Sequence, residues 1–282
     1  MIICKTQNQL QLILNQKKAD GDLIGFVPTM GALHKGHLSL IEAAALKTQF
    51  VVCSIYVNPS QFNDKQDLEK YPRTTDNDIK QLLQTKCDLL FLPDDQTMYP
   101  DGIDTLIHFD LGELEHIHEG KFRPGHFQGV ANVVSLFLKI VKPDFLFMGQ
   151  KDFQQVKVIE QLLKTYFHQT INLVMCPIER EPDGLAMSSR NIRLKKEDRF
   201  NAPRIFETLK WMKSHATKLS FYELRKQAIE KLNQIPNSVT EYLEICDSGT
   251  LQPIENFSSK QSTVALTVVN LGGVRLLDNV LL

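Results

Sequence analysis

The sequence predicts an α/β protein: a doubly wound parallel sheet with helices on both faces, followed by a smaller C-terminal α+β domain. Up to Cys176, short apolar and β-branched runs alternate with amphipathic segments, the pattern of parallel strands joined by crossover helices. At Pro177 and the turn-forming Glu181-Pro182-Asp183-Gly184 that alternation stops, and a charged helical region begins. The length of 282 residues lies near the size at which one hydrophobic core stops growing, which suits one large domain or two of unequal size. The boundary is placed near Pro177, giving domains 1–177 and 178–282.

In chain order, strands are expected at Leu23 to Val27, Phe50 to Val57, Asp88 to Leu92, Asp144 to Met148 and Asn172 to Cys176, all short apolar runs rich in branched residues. Helices are expected between them at about Lys35 to Lys47, Asp76 to Thr85, Phe127 to Val141 and Phe153 to Phe167, where apolar residues follow the helical period. In the second domain, helices around Arg204 to Lys213 and Phe221 to Asn233 precede strand-like runs at Thr240 to Ile245, Val264 to Val269 and Val274 to Leu277. No internal repeat or low-complexity tract interrupts this order.

Composition narrows the function. With 32 Lys+Arg against 33 Asp+Glu and a formal net charge of −1, no long-range field recruits a polyanion, so neither nucleic acid nor a membrane surface is an expected partner. The longest apolar stretch, Phe127 to Leu138, is broken by Gln128, Asn132 and Ser135 and falls short of the roughly 20 residues that cross a bilayer. MIICKTQNQL has no continuous apolar segment or small-residue cleavage site, so no export signal is expected and the cytoplasm is the expected compartment. Cys4, Cys53, Cys87, Cys176 and Cys246 are odd in number, far apart and mostly within apolar runs, as buried reduced thiols would be. No CxxC pair offers a cysteine zinc site.

Chemistry-bearing residues concentrate at strand ends. In PTMGALHKGHLSLIEAA a strand ending near Pro28 leads into a helix beginning near Lys35, and open α/β sheets bind ligands at such turns, where free helix N–H groups face an anion. His34 and His37 share one side of that helix start, with Gly36 between them leaving room for a ligand; the alternative is a pair of surface or capping histidines. Neither GxxxxGK[ST] nor GxGxxG is present, so a bound nucleotide is held by another design. In DFLFMGQKDFQQ a strand ends at Gly149, and Lys151, Asp152, Gln154 and Gln155 open a helix. There Lys151 suits a phosphate and Asp152 suits ribose hydroxyls, unless this is an ordinary first turn with a solvated lysine. DGLAMSSRN offers Ser188, Ser189 and Arg190 as a phosphate clamp, and without a G-x-S-x-G elbow no serine nucleophile is expected. The loop VNPSQFNDKQDLEKYPRT suits closure over a small polar substrate, the alternative being a surface loop without function at most of its positions. In HIHEGKFRPGHFQG, Glu115, His116, His118, Glu119 and His126 match no zinc motif, while Arg123 and His126 suit an anion.

Taken together these segments resemble the pantoate–β-alanine ligase family. PTMGALHKGH, VNPSQF, YPRT, RPGHFQGV, GQKDFQQ and DGLAMSSRN occur in that family's order and approximate spacing, and the likeness runs on to RLLDN near the C-terminus. His34-Lys35-Gly36-His37 is similar to the HxGH signature of nucleotidyltransferases, and Met187-Ser188-Ser189-Arg190 resembles the counterpart of the synthetases' KMSKS loop. Position 150 is Gln where some members carry Glu, with Lys151 and Asp152 intact beside it.

The resemblance implies a Rossmann-like domain for ATP and pantoate, a C-terminal domain carrying the SSR clamp, ATP as substrate with Mg²⁺, and a homodimer. It also implies two steps. Pantoate's carboxylate attacks the α-phosphorus of Mg-ATP, giving pantoyl adenylate and pyrophosphate, and the β-alanine amine then attacks the acyl carbon, releasing pantothenate and AMP. By resemblance His34, His37, Lys151, Ser188, Ser189 and Arg190 act in catalysis. With them Pro28, Thr29, Met30, Gly36, Gly149, Asp152 and Met187 bind ATP, while Gln61, Gln155 and Arg123 bind pantoate. Asp76 and Asp78 are read either as water-mediated holders of Mg²⁺ or as first-turn helix carboxylates favoured by the dipole. Because an acyl adenylate hydrolyses in water, the loop after Asn58 and the small domain are both expected to close over the site. A related HxGH nucleotidyltransferase that leaves the nucleotide on its product is the main alternative; a nucleic-acid-binding synthetase fragment and a non-catalytic descendant are the others.

Overall fold

The computed structural model describes residues 1–103, 106–168, 170–256 and 262–282. They form two compact units, Met1–Gly149 with Val158–Cys176, and Gln150–Lys157 with Pro177–Leu282.

The first unit holds strands β1 (Ile2–Cys4), β2 (Ile24–Thr29), β3 (Phe50–Ile55), β4 (Leu89–Phe91), β5 (Phe145–Gly149) and β6 (Asn172–Cys176). Its helices are α1 (Gln7–Ala19), α2 (Lys35–Ala45), α3 (Lys65–Glu69), α4 (Thr75–Leu82), α5 (Asp95–Met98), α6 (His118–Phe122) and α7 (His126–Val141), while α8 (Phe153–Tyr166) runs from the second unit into the first. All strands are parallel, in the order β1-β4-β3-β2-β5-β6. Successive strand residues face opposite sides of a sheet, and both sides are covered. Val27, Val51, Cys53 and Ile55 pack with Leu40, Ile41 and Ala44 of α2 and with Leu82 of α4. On the other face Phe137 of α7 meets the rings of Phe26, Phe91 and Tyr56 at centroid distances of 5.5, 6.2 and 6.3 Å. The doubly wound sheet is therefore present, and its strand order reverses between β2 and β5. Ligands of open α/β sheets bind beyond the carboxyl ends at such a reversal, here Thr29 and Gly149.

Strand β1 and helices α1, α3, α5 and α6 escape the hydrophobic pattern, α3 lying within the segment expected to be a loop and burying none of its residues. Helix α1 buries only Leu10 and Leu14, too few to show a period, but a capping box starts it: Gln9 N–H donates to Thr6 Oγ1 at 3.3 Å and Thr6 N–H to Gln9 Oε1 at 3.4 Å. Edge strand β1 is three residues long, with Ile2 and Ile3 exposed, and only pairing with β4 makes it a strand.

In the second unit α9 (Lys196–Asn201), α10 (Arg204–His215) and α11 (Phe221–Asn233) precede an antiparallel sheet of β7 (Ser238–Asp247), β8 (Thr263–Leu271) and β9 (Val274–Leu281), in that order. Leu209 and Met212 of α10 and Leu224, Ala228 and Leu232 of α11 share a core with Leu243, Ile245, Ala265 and Val269. The strands outrun the apolar stretches expected from sequence because ladder hydrogen bonds carry pairing on through Ser238 and Asp247. Among the described residues, no helix is long and apolar enough to cross a membrane.

Candidate active site

Strand β2 delivers the first group of candidate residues. Pairing of β2 with β5 ends at Phe26, so Pro28, which lacks an N–H, leaves no ladder position empty. The Thr29 hydroxyl donates to Ser54 O at 2.7 Å and accepts from Gly31 N–H at 3.2 Å, fixing the strand's exit. The chain then reverses through Gly31 at φ +77° and Ala32 at φ +48°, the second a conformation that disfavours a side chain. What holds it is Asp78, 1% exposed at the start of α4: Ala32 N–H donates to Oδ2 at 3.0 Å, Leu33 N–H to Oδ1 at 2.8 Å and the Thr74 hydroxyl to Oδ1 at 3.1 Å. Asp76 and Asp78 both lie in that first turn, Asp76 exposed and Asp78 committed to the loop.

That loop sets His34 as the N-cap of α2 in extended backbone. The His34 and His37 rings lie 4.0 Å apart at 34°, and His34 N–H donates to His37 Nδ1 at 3.3 Å. Since Nδ1 accepts, the proton of a neutral His37 sits on Nε2, which can donate outward. The first N–H groups of α2 lack helical partners and lie at its positive end.

Gln61 comes from the loop after β3. Asn58 caps the turn Pro59–Gln61 and donates from Nδ2 to Gln61 Oε1 at 3.2 Å and to Gly129 O at 3.1 Å, while Tyr99 O–H donates to Asn58 Oδ1 at 2.8 Å. Buried Gln61 donates in turn to Met30 Sδ at 3.0 Å, so the loops after β2 and β3 meet through two candidate residues. The approach of α7 requires glycine at 129, where a Cβ would stand 2.3 Å from Ser60 O and 2.6 Å from Gln61 N. His126 Nδ1 donates to Gln61 O at 2.8 Å, leaving Nε2 of the neutral ring to accept from Arg123 Nη1 at 3.2 Å. Arg123 also contacts Glu119 Oε1 and Gln61 O at 3.4 Å each. Arg123 and His126, which the sequence offers as contacts to an anion, both hydrogen-bond to Gln61 O on the main chain that carries the candidate Gln61.

In the second unit, Gln150–Asp152 form a 3₁₀ turn after Gly149, and Lys151 Nζ lies 3.1 and 3.2 Å from the Asp152 carboxylate oxygens. A Cβ on Gly149 would meet nothing within 4 Å, so there is room beside it. Gln154 is buried and Gln155 half-buried in the first turn of α8. The SSR segment is braced by its own backbone: Met187 N–H donates to Glu179 O at 2.9 Å, Asn191 Nδ2 to Ala186 O at 3.0 Å and Arg190 N–H to Ser188 Oγ at 3.2 Å. Ser188 is thereby the N-cap of the 3₁₀ turn Ser189–Arg193.

Among the described residues no three His, Cys, Asp or Glu side chains are gathered as a metal cage, and the Asp78 oxygens already accept three hydrogen bonds. Sequence reasoning missed Asn58 and Tyr99 as supports, because their partners lie far along the chain. The only local signal was the turn-forming Asn58-Pro59.

Comparison with known proteins agrees across the whole chain. The Pantoate-beta-alanine ligase family model matches residues 2–281. The pantothenate synthetase of Azobacteroides pseudotrichonymphae is 43% identical over 281 residues, covering 99% of each chain, and that of Porphyromonas gingivalis is 43% identical over 280 residues with the same coverage. The crystal structure of the Thermus thermophilus enzyme superposes with a TM-score of 0.92 at 36% identity, covering 99% of both chains. The Francisella tularensis ligase, complexed with β,γ-ATP and β-alanine, gives 0.81 at 37% identity, covering 100% of this chain and 97% of its own. With the paired histidines at a sheet reversal and this likeness from end to end, the chain belongs to the pantoate–β-alanine ligase family.

Proposed function

We propose that the chain performs its family's reaction, ATP-dependent joining of pantoate to β-alanine, through pantoyl adenylate and with the following division of labour. The observation that carries the reading is the His34/His37 pair at the start of α2, beyond the carboxyl end of β2 and next to the strand reversal. In the first step negative charge grows on the α-phosphate and on departing pyrophosphate, so the enzyme supplies fixed donors and cations rather than a nucleophile. His34, His37 and the N–H groups opening α2 donate to phosphate oxygens. Lys151 leaves Asp152 to neutralise phosphate charge, and Ser188, Ser189 and Arg190 clamp the phosphates.

Pro28, Thr29, Met30, Gly36, Gly149, Asp152 and Met187 shape the place for the adenosine, with Asp152 accepting from ribose hydroxyls. Gln61, Gln155 and Arg123 hold pantoate, since an amide donates and accepts at once and a guanidinium pairs with a carboxylate, and Arg123 also secures the Gln61 loop. Mg²⁺ enters with ATP as part of the substrate. The division into a nucleotide- and pantoate-binding domain and a clamp domain, a homodimeric state and a cytoplasmic setting belong to the same reading; the five free, buried cysteines accord with the last.

The test is to mix protein, Mg-ATP and pantoate, then add β-alanine, following pyrophosphate and AMP separately. Pyrophosphate is expected with pantoate alone and AMP only after β-alanine. Retention of the nucleotide on the product would favour the nucleotidyltransferase alternative, which the family match disfavours. Lys151→Ala is expected to abolish pantoate-dependent pyrophosphate exchange, with a loss of at least about 3 kcal/mol in transition-state stabilisation. His34→Ala and His37→Ala should weaken the same half-reaction, and a defect confined to the β-alanine step would remove these roles.

A further inference from the structure

In the second unit the turn that carries Lys151 is gripped by one buried side chain far away in sequence. Asn279, in β9 and 2% exposed, donates from Nδ2 to Gln150 O at 2.9 Å and to Lys151 O at 3.0 Å, and accepts from Gln150 Nε2 at 3.1 Å. Both ends of the amide are used, and only an amide of this length supplies two donors and an acceptor there. The clamp is itself anchored. Asn279 faces Leu266 on the central strand β8, and its N–H donates to Asp278 Oδ1 at 2.7 Å. Asp278 receives a two-pronged pair from Arg180 at 2.7 and 2.9 Å, and the Arg180 guanidinium lies 3.5 Å above the Phe206 ring. A 3₁₀ turn after a strand has few hydrogen bonds of its own, so an external clasp decides where its carbonyls, and hence the Lys151 side chain, stand.

We infer that Asn279 is a positioning residue for adenylation, fixing the Gln150–Lys151 main chain so that the Lys151 ammonium meets the phosphates in the reacting arrangement. This rests on the proposed role of Lys151. A displacement of about 1 Å in a charge-stabilising group costs on the order of a hundredfold in rate, although nothing that touches substrate has been removed. Asp278, Arg180 and Phe206 stiffen the clasp from behind.

Asn279→Asp keeps the shape but turns an oxygen toward two carbonyls, and Asn279→Ala removes the clasp. Gln150→Ala, at a half-buried position, removes one of the three bonds and guards against misfolding of the others. Each full-length variant is assayed for pantoate-dependent pyrophosphate exchange and, separately, for pantothenate release from synthetic pantoyl adenylate and β-alanine, with Lys151→Ala in parallel. For Asn279→Asp the exchange kcat is expected to fall about 10- to 100-fold, with the KM for pantoate and the second half-reaction within about threefold of the parent. Gln150→Ala is expected to show the same split with a loss of about two- to fivefold. Equal loss in both half-reactions, a change in KM alone, or normal exchange in a folded variant would overturn the positioning role. If Asn279→Asp does not fold, an unsplit or absent effect in Gln150→Ala overturns it instead. Normal exchange in Lys151→Ala would instead overturn the role of Lys151, so the two failures are separable.

Discussion

Replacing Asp78 tests whether the HxGH loop is held from outside. The carboxylate accepts from Ala32 N–H at 3.0 Å, Leu33 N–H at 2.8 Å and the Thr74 hydroxyl at 3.1 Å, and no solvent reaches it to substitute. In Asp78→Ala two main-chain N–H groups lose their partners in a loop that holds Ala32 at positive φ. Each stranded donor costs about 1 to 3 kcal/mol, so a destabilisation of about 3 to 5 kcal/mol is expected. For a unit of this size that lowers its Tm by roughly 6 to 20 °C. Asp78→Asn retains one acceptor but turns an amide NH₂ toward an N–H, for about 1.5 to 3 kcal/mol. Calorimetry measures stability, and pantoate-dependent pyrophosphate exchange measures the loop's effect on His34 and His37, with a fall of about 10- to 100-fold expected below the unfolding range. Exposed Asp76, in the same turn, separates a dipole effect from a loop effect: Asp76→Asn should stay within about 0.5 kcal/mol of the parent. Equal stability and exchange in Asp78→Asn and Asp76→Asn would refute the loop-holding role.

Other substitutions probe the remaining supports. Gly129→Ala drives a Cβ to 2.3 Å from Ser60 O and should displace the Gln61 turn, with a loss of about 1 to 3 kcal/mol and a KM for pantoate raised more than that for ATP; unchanged pantoate binding would remove this link. Arg123→Ala removes its 3.4 Å contacts with the Glu119 carboxylate and Gln61 O and should cost about 1 to 3 kcal/mol, whereas full stability in urea titration would show that these contacts are dispensable. Burial pushes the Cys87 and Cys246 thiols up to about 12. The folded chain keeps protons that unfolded thiols release near pH 8.5, so stability is retained below that point and lost as pH rises toward 12, by up to about 1.4 kcal/mol per pH unit for each thiol. Urea unfolding of Cys87→Ala between pH 8 and 10 should show a shallower decline than the parent, and parallel lines would contradict the assignment.

Much of the architecture was legible because it follows from local periodicity. Runs such as Phe50–Ile55 and Asn172–Cys176, separated by segments with helical spacing, name parallel strands and crossovers without reference to anything distant. Helices α1, α3, α5 and α6 and strand β1 were not legible because they are too short or bury too few residues to show a period of their own. At the candidate site, His34, His37, Lys151 and the SSR segment stood out as chemistry at strand ends and turns, their motifs matched one family, and Gln61 entered only through that resemblance.

The sequence by itself determined the fold class and the family and singled out the candidate side chains, because these depend on residue identity at short spacing. Tertiary structure decided what holds those side chains in place. Asp78 reaches the Ala32–Leu33 loop, Gly129 admits the Gln61 turn, Arg123 and His126 bind main chain, and Asn279 clasps Gln150 and Lys151 from more than a hundred residues away. A hydrogen bond forms between groups a few ångströms apart in space whatever their distance along the chain. Only the packed structure brings such partners together, and no spacing in the sequence records it.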